Sequence, residues 1–353
     1  MKKTIFIAAT GQNVGKTTLC LGILSGLRKR IPSVGFLKPV GQQHIISHEG
    51  TEVDKDVILF KDHFHLSPSY ASMSPVICPH GFTKDFLDHK VTEVALLQKI
   101  EESYRKLSTE NDFVLVEGTG HIGVGSIFHL NNAKVAKHLG LDVVIVAIGG
   151  LGSSYDELAL NINMCRSYGV RVRGIILNKV QENKRDMILE YFPKSLETSG
   201  IPLLGCIPYD PLLTMPTMQD YEHLFRTKLL SGTEHSVRHF TKTCLVAGSL
   251  ESYHEEKGQN QLVITPACRE DIIKATLCDA IDGGMILTGK KPPAEHIMKA
   301  IQQSSLPILY VPLCCFDAMK AITSFTAKIH NEDSQKVERA IQLVETNLNY
   351  DLL

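Results

Sequence analysis

Apolar residues fall into short runs that alternate with stretches of helical spacing. The runs Thr4-Ile5-Phe6-Ile7-Ala8-Ala9, 33–40, 113–117, 142–148, 172–177 and 203–207 are apolar at nearly every position. That pattern marks strands buried on both faces. Between them, Leu19, Ile23 and Leu27 repeat at helical spacing, with Gly22 and Gly26 on a tighter face, and residues 91–107 form an amphipathic helix. Helices are also expected from Asp54-Lys55-Asp56 through residue 60 and over 154–168. Residues 67–81, rich in Ser and Pro, read as a loop at the edge of a site. Strand-helix alternation of this length predicts an α/β fold built on a doubly wound parallel sheet.

From residue 219 to about 258 the pattern becomes polar, which places a domain boundary near 231–239. A second alternation follows, with strands over 262–265, 283–287 and 308–311. Helices are expected over 269–279, 294–304, 316–328 and 334–348. The expected organisation is therefore a first domain over 1–232 and a second, smaller α/β domain over 240–353.

Composition removes several alternatives. The 353 residues are 43% hydrophobic and 21% charged, with a net charge of −1. No basic block marks a nucleic-acid or membrane-surface partner, and no apolar run approaches bilayer-spanning length. Met1-Lys2-Lys3 resembles a signal-peptide start, but the apolar stretch runs straight into the loop described next, so no cleaved leader is expected. Nine cysteines without a Cys-x-x-Cys pair read as reduced thiols of a cytoplasmic protein. His63 and His65 lack companions at metal-ligand spacing.

The chemistry concentrates in Thr10-Gly11-Gln12-Asn13-Val14-Gly15-Lys16-Thr17-Thr18, between the first strand and the first helix. In this setting the backbone N–H groups of Gly11, Asn13, Val14 and Gly15 and a helix N-terminus cradle phosphates. Lys16 reaches the outer phosphates, and the Thr17 hydroxyl ligates Mg²⁺. Thr10 stands where the usual pattern has glycine. Lys38 ends the second strand, either as an edge residue whose ammonium reaches solvent or facing the phosphates. Asp54 and Asp56 either cap a helix or hold Mg²⁺ through water. Glu117 closes a fully apolar strand, where an acid is costly unless it meets a metal or a cation. It is a candidate Mg²⁺ ligand or water-orienting group, with His121 a weaker neighbour.

These stretches, together with Phe36-Leu37-Lys38-Pro39-Val40 and Leu204-Gly205-Cys206-Ile207-Pro208, resemble dethiobiotin synthetase. They resemble more closely the domain of that type at the N-terminus of some phosphate acetyltransferases. The resemblance spans residues 4 to about 215, and the second domain resembles the DRTGG domain that follows in those proteins. It implies a P-loop NTPase fold with ATP and Mg²⁺ as cofactors. Lys16, Thr17 and Thr18 would bind phosphates; Thr17, Asp54 or Asp56, and Glu117 would bind Mg²⁺. Lys38 would reach toward the γ-phosphate and the acyl group, which gives Lys16, Lys38 and Glu117 catalytic roles. Asn178, Pro208 and Tyr209 would flank the adenine. The implied function is an ATP-dependent ligase or phosphotransferase on a small carboxylate, or a nucleotide-sensing regulator of acetyl-phosphate and acetyl-CoA metabolism.

Gly41-Gln42-Gln43 replaces the small polar residues of the synthetases, which argues against a biotin precursor as substrate. Of the DRTGG signature, Arg269 and Thr288-Gly289 remain, while Cys268 and Lys290 depart from it. The acetyltransferase catalytic domain is not expected within these 353 residues. Sheets of this type often share sites across a dimer, although no residue read here requires one.

Overall fold

The computed structural model describes residues 3–246, 248–279 and 282–353, so the signal-like Met1-Lys2 lies outside the described residues. The chain divides into two compact units, one running to Asp210 and resuming over Ile329–Leu353, the other Pro211–Lys328. This differs from the expected division. The boundary falls earlier than 231–239, and the last helix belongs to the first unit.

The main sheet of the first unit has six strands among the described residues: β1 (Lys3–Ala9), β2 (Val34–Leu37), β3 (Phe113–Glu117), β4 (Val143–Ile148), β5 (Val172–Val180) and β6 (Leu203–Pro208). They form one sheet in the order β6-β5-β4-β1-β3-β2, with every pairing parallel. The helices are α1 (Lys16–Arg28), α2 (Lys55–Phe64), α3 (Glu93–Glu110), α4 (Asn132–Leu139), α5 (Gly152–Ser167), α6 (Arg185–Leu196) and α7 (Ser334–Asn347). The sheet grows in both directions from β1, and right-handed crossovers then put helices on opposite faces. Residues 67–81 are more ordered than expected, with a one-turn helix, Tyr70–Met73, and a short strand, Val76–Ile77. Among the described residues, no helix is long and apolar enough to cross a membrane.

Register matters most at the C-terminal strand ends. Ile7 pairs with Glu117 and Leu37 with Val116, so Lys38, one residue further, stands level with Glu117. Ile148 pairs with Asn178. In an open parallel sheet these ends form the crevice that holds ligands.

The tight glycine face of α1 explains where α7 goes. A Cβ on Gly22 would lie 2.3 Å from the Val344 Cβ, and one on Gly26 would lie 2.3 Å from the Tyr350 ring. The Tyr350 hydroxyl donates to the Gly22 carbonyl at 2.7 Å, and Ser25 donates to Glu345 at 2.8 Å. Asn349 N–H donates to the Leu204 carbonyl, and Arg339 donates to Asp210 at 2.6 Å. The last residues of the chain thus cover the helix that carries the phosphate loop.

The second unit is a five-stranded sheet, β7 (Leu229–Ser231), β8 (Lys242–Leu245), β9 (Gln261–Pro266), β10 (Gly284–Thr288) and β11 (Ile308–Val311). Its order is β7-β11-β10-β9-β8, with β7 antiparallel at the edge. Side chains alternate between two cores, Val263, Met285 and Ile308 on one face and Leu262, Ile264, Ile286 and Leu309 on the other. The polar stretch expected to link domains is folded into this unit. A helix over Met218–Phe225 starts at a capping box of Thr217 and Asp220 and buries Met218 and Tyr221.

A chain ended at residue 235 keeps every phosphate-loop residue but loses the cover of α1. It is expected to unfold at lower temperature and to lose nucleotide affinity. Gly22→Ala, which forces a methyl into Val344, should cost about 1–3 kcal/mol in denaturant unfolding.

Candidate functional site

The loop between β1 and α1 is shaped for an anion. Gly15 takes φ +101° at the N-cap of α1. A Cβ there would lie 2.2 Å from Asn178 Nδ2, so both space and backbone demand glycine. No side chain caps the first turn of α1 and no acid stands in it, which leaves its N–H groups and positive dipole end open. The loop is braced from β5: Asn178 Nδ2 donates to the Val14 carbonyl and Lys179 Nζ to the Asn13 carbonyl, each at 2.7 Å. Thr10 N–H donates to the Val146 carbonyl, while the Thr10 hydroxyl is buried without a hydrogen-bond partner.

Four charges meet beyond the loop. Lys16 Nζ donates to the Gly120 carbonyl at 2.7 Å. Lys38 Nζ lies 2.7 Å from Asp56 Oδ2 and 2.9 Å from Glu117 Oε1, and the Thr17 hydroxyl donates to that same Oε1 at 3.1 Å. Lys38 and Glu117 are buried, 5% and 1% exposed along the side chain. Burial pushes the Lys16 ammonium down to about 8, with Glu117 opposing and Lys38 adding to the fall. Burial alone would also lower Lys38, but Asp56, Glu117 and Asp54 outweigh it and hold Lys38 well above the ordinary lysine value. Burial raises Glu117, against the pull of Lys38.

The two aspartates separate in role. Asp54 is the N-cap of α2: its Oδ1 accepts from Asp56 N–H, and its Oδ2 accepts from the N–H groups of Gln42 and Gln43 at 3.1 and 3.3 Å. Asp56 is the one that faces Lys38. No other expected residue joins this cluster. Asn178 grips the loop backbone, whereas Pro208 and Tyr209 end the edge strand, with Tyr209 N–H on the Val180 carbonyl. His121 accepts from Gly123 N–H through Nδ1.

Sequence reasoning missed the supporting amides. Asn132 accepts from Thr119 N–H and donates to the Thr119 and His121 carbonyls, fixing the turn after Glu117. Asn161 accepts from Ile122 N–H and donates to the Thr10 carbonyl. Both are buried; Asn161 lies inside α5, where asparagine is a poor helix former, while Asn132 opens α4. The misfit of Asn161 was the available signal.

The donor set suits Mg²⁺. The oxygens of Thr17, Asp56 and Glu117 are hard ligands, and Glu117 Oε2 is buried with no hydrogen-bond partner. A hydrated divalent ion would satisfy that atom.

Residues 3–217 match the model of AAA_26, an AAA domain. The chain belongs to the AAA_26 family. Its residues 223–325 match the DRTGG domain. Curated relatives of this AAA_26 chain include phosphate acetyltransferases of Nitratidesulfovibrio vulgaris and Pseudomonas putida. The first is 26% identical over 99% of the chain and 51% of its own length, the second 29% over 98% and 51%. The chain thus spans about half the length of these relatives. Similar solved structures include the MinD cell division protein of Aquifex aeolicus, with TM-score 0.38 and 16% identity over 60% of this chain and 84% of that one. The P-loop fold, the parallel sheet and the smaller second α/β unit agree with the resemblance read from sequence.

The pH dependence of anion binding follows from Lys16. Its charge is present below pH 8 and fades as pH rises through 8. Binding of ATP in EDTA, measured by calorimetry, should therefore weaken between pH 7 and 9 and take up protons near pH 8. Lys16→Ala should bind about ten- to a hundredfold more weakly, in line with losing a charge-assisted bond, and show no such slope.

Proposed function

We propose that the chain binds ATP with Mg²⁺ at the C-terminal ends of β1, β2 and β3 and transfers the terminal phosphoryl group to a small carboxylate. The observation that carries this reading is the convergence of Lys16, Lys38, Glu117, Asp56 and Thr17 behind one phosphate loop. A buried ion cluster is expensive to hold together, and phosphoryl transfer uses such preorganised charge. The backbone of 11–17 would hold the phosphate chain, and Lys16 would leave the Gly120 carbonyl for the outer phosphates. Thr17, Asp56 and Glu117 would hold Mg²⁺, which when bound neutralises phosphate charge. Lys38 would stabilise the charge that develops as an acceptor oxygen bonds to the γ-phosphorus and the bond to the bridging oxygen breaks.

A second reading is a nucleotide-sensing module that serves the acetyl-transfer step named by its relatives. One observation favours it. The N–H groups of Gln42 and Gln43, which the loop beside Lys38 could offer to a carboxylate, are already taken by Asp54. The DRTGG unit would then be the output.

ADP release under saturating ATP and Mg²⁺ separates the two. Glu117→Gln and Lys38→Ala should keep nucleotide binding and lose a hundredfold or more in rate, the usual scale for lost phosphoryl-transfer stabilisation. No ring closure is expected from diaminopelargonate, bicarbonate and ATP. If ATP changes hydrogen-exchange protection over 262–311 with no acceptor consumed, the sensor reading replaces the enzyme.

A further inference from the structure

Lys38 stands between two carboxylates that suit a divalent ion. Its ammonium bridges Asp56 and Glu117 at 2.7 and 2.9 Å, and it shares Glu117 Oε1 with the Thr17 hydroxyl. These are the three side chains whose oxygens suit Mg²⁺. The remaining Glu117 oxygen is buried and unpartnered, so the pocket holds metal-binding capacity that the lysine does not use up.

We propose that Lys38 is the built-in counter-ion of the Glu117–Asp56 pair, so that the free protein takes up no divalent metal and Mg²⁺ enters only together with nucleotide. The proposal rests on the nucleotide and Mg²⁺ reading above. The charges argue for it. In the free protein Lys16 and Lys38 face the carboxylates of Asp56 and Glu117, with Asp54 beside them, within one buried cluster. A divalent ion added alone leaves an excess positive charge beside the open N-terminus of α1, in a place with little water to screen it. A nucleoside triphosphate brings the missing negative charge and supplies phosphate oxygens as further ligands. Asp54 is committed to the backbone, since both its oxygens accept N–H groups. Lys38 is in this respect a positioning residue that fixes the order of binding.

The test uses the full chain and Mn²⁺, whose electron spin resonance signal is lost on binding. Without nucleotide, the wild type should leave Mn²⁺ free at millimolar concentration. Lys38→Met should bind it at least tenfold more tightly than the wild type, and Lys38→Met combined with Glu117→Gln should lose that gain. Lys38→Gln, which removes the charge but keeps a polar side chain, carries the same expectation should the methionine disturb folding. Tight Mn²⁺ binding by the free wild type overturns the proposal, as does equal affinity in wild type and Lys38 variants. None of these measurements requires nucleotide. Failure to bind ATP in separate calorimetry would instead sink the functional reading, with the Mn²⁺ comparison still decisive for Lys38.

Discussion

Taking Lys38 and Glu117 out of water together is costly, and much nearby structure makes it tolerable. Each ion loses several kcal/mol of hydration that only close and well-directed partners can offset. The parallel register of β2, β3 and β1 supplies closeness, because it brings Lys38 level with Glu117 and places the loop helix one strand away. Asp56, carried in by the first turn of α2, supplies the second partner. Asp54 aims that turn and ties down the chain leaving β2. The glycines alongside follow from the same crowding. At Gly118 a Cβ would meet Asn132 and Phe6 within 2.7 Å, and at Gly41 it would meet the Asp54 Cβ at 2.7 Å.

The phosphate loop takes its shape from behind. Carbonyls that cannot point at an anion need donors elsewhere, and side chains behind the loop provide them: Asn178 for Val14, Lys179 for Asn13 and Asn161 for Thr10. With the carbonyls held back, the N–H groups face the crevice. This division of labour is why Asn178 sits against the loop backbone, where the resemblance had implied a place beside the adenine.

The first unit was legible because its strands are apolar throughout and its loop has Gly15, Lys16 and Thr17 in a strand-to-helix turn. Lys38 and Glu117 were visible for a plain physical reason, as ions ending apolar strands. The choice between Asp54 and Asp56 was not visible, since a cap and a site ligand look alike until the helix direction is known. The second unit was misjudged at its start. Residues 218–245 bury little per residue beyond Met218, Tyr221, Phe240 and Cys244, and so read as a linker. The fate of α7 was also hidden. Its apolar stripe says that it packs, and only the Gly22 and Gly26 gaps, 320 residues or so earlier in the chain, say where.

That distant pairing has a consequence for how the protein comes to exist. During synthesis the phosphate loop and all six strands of its sheet leave the ribosome early, yet the groove along α1 stays open until Val344 and Tyr350 follow. The whole second unit is made in the interval. At ordinary elongation rates of about 5–20 residues per second, that leaves the bare glycine face waiting for several seconds. A nascent first unit in that interval is a sheet without one of its covering helices.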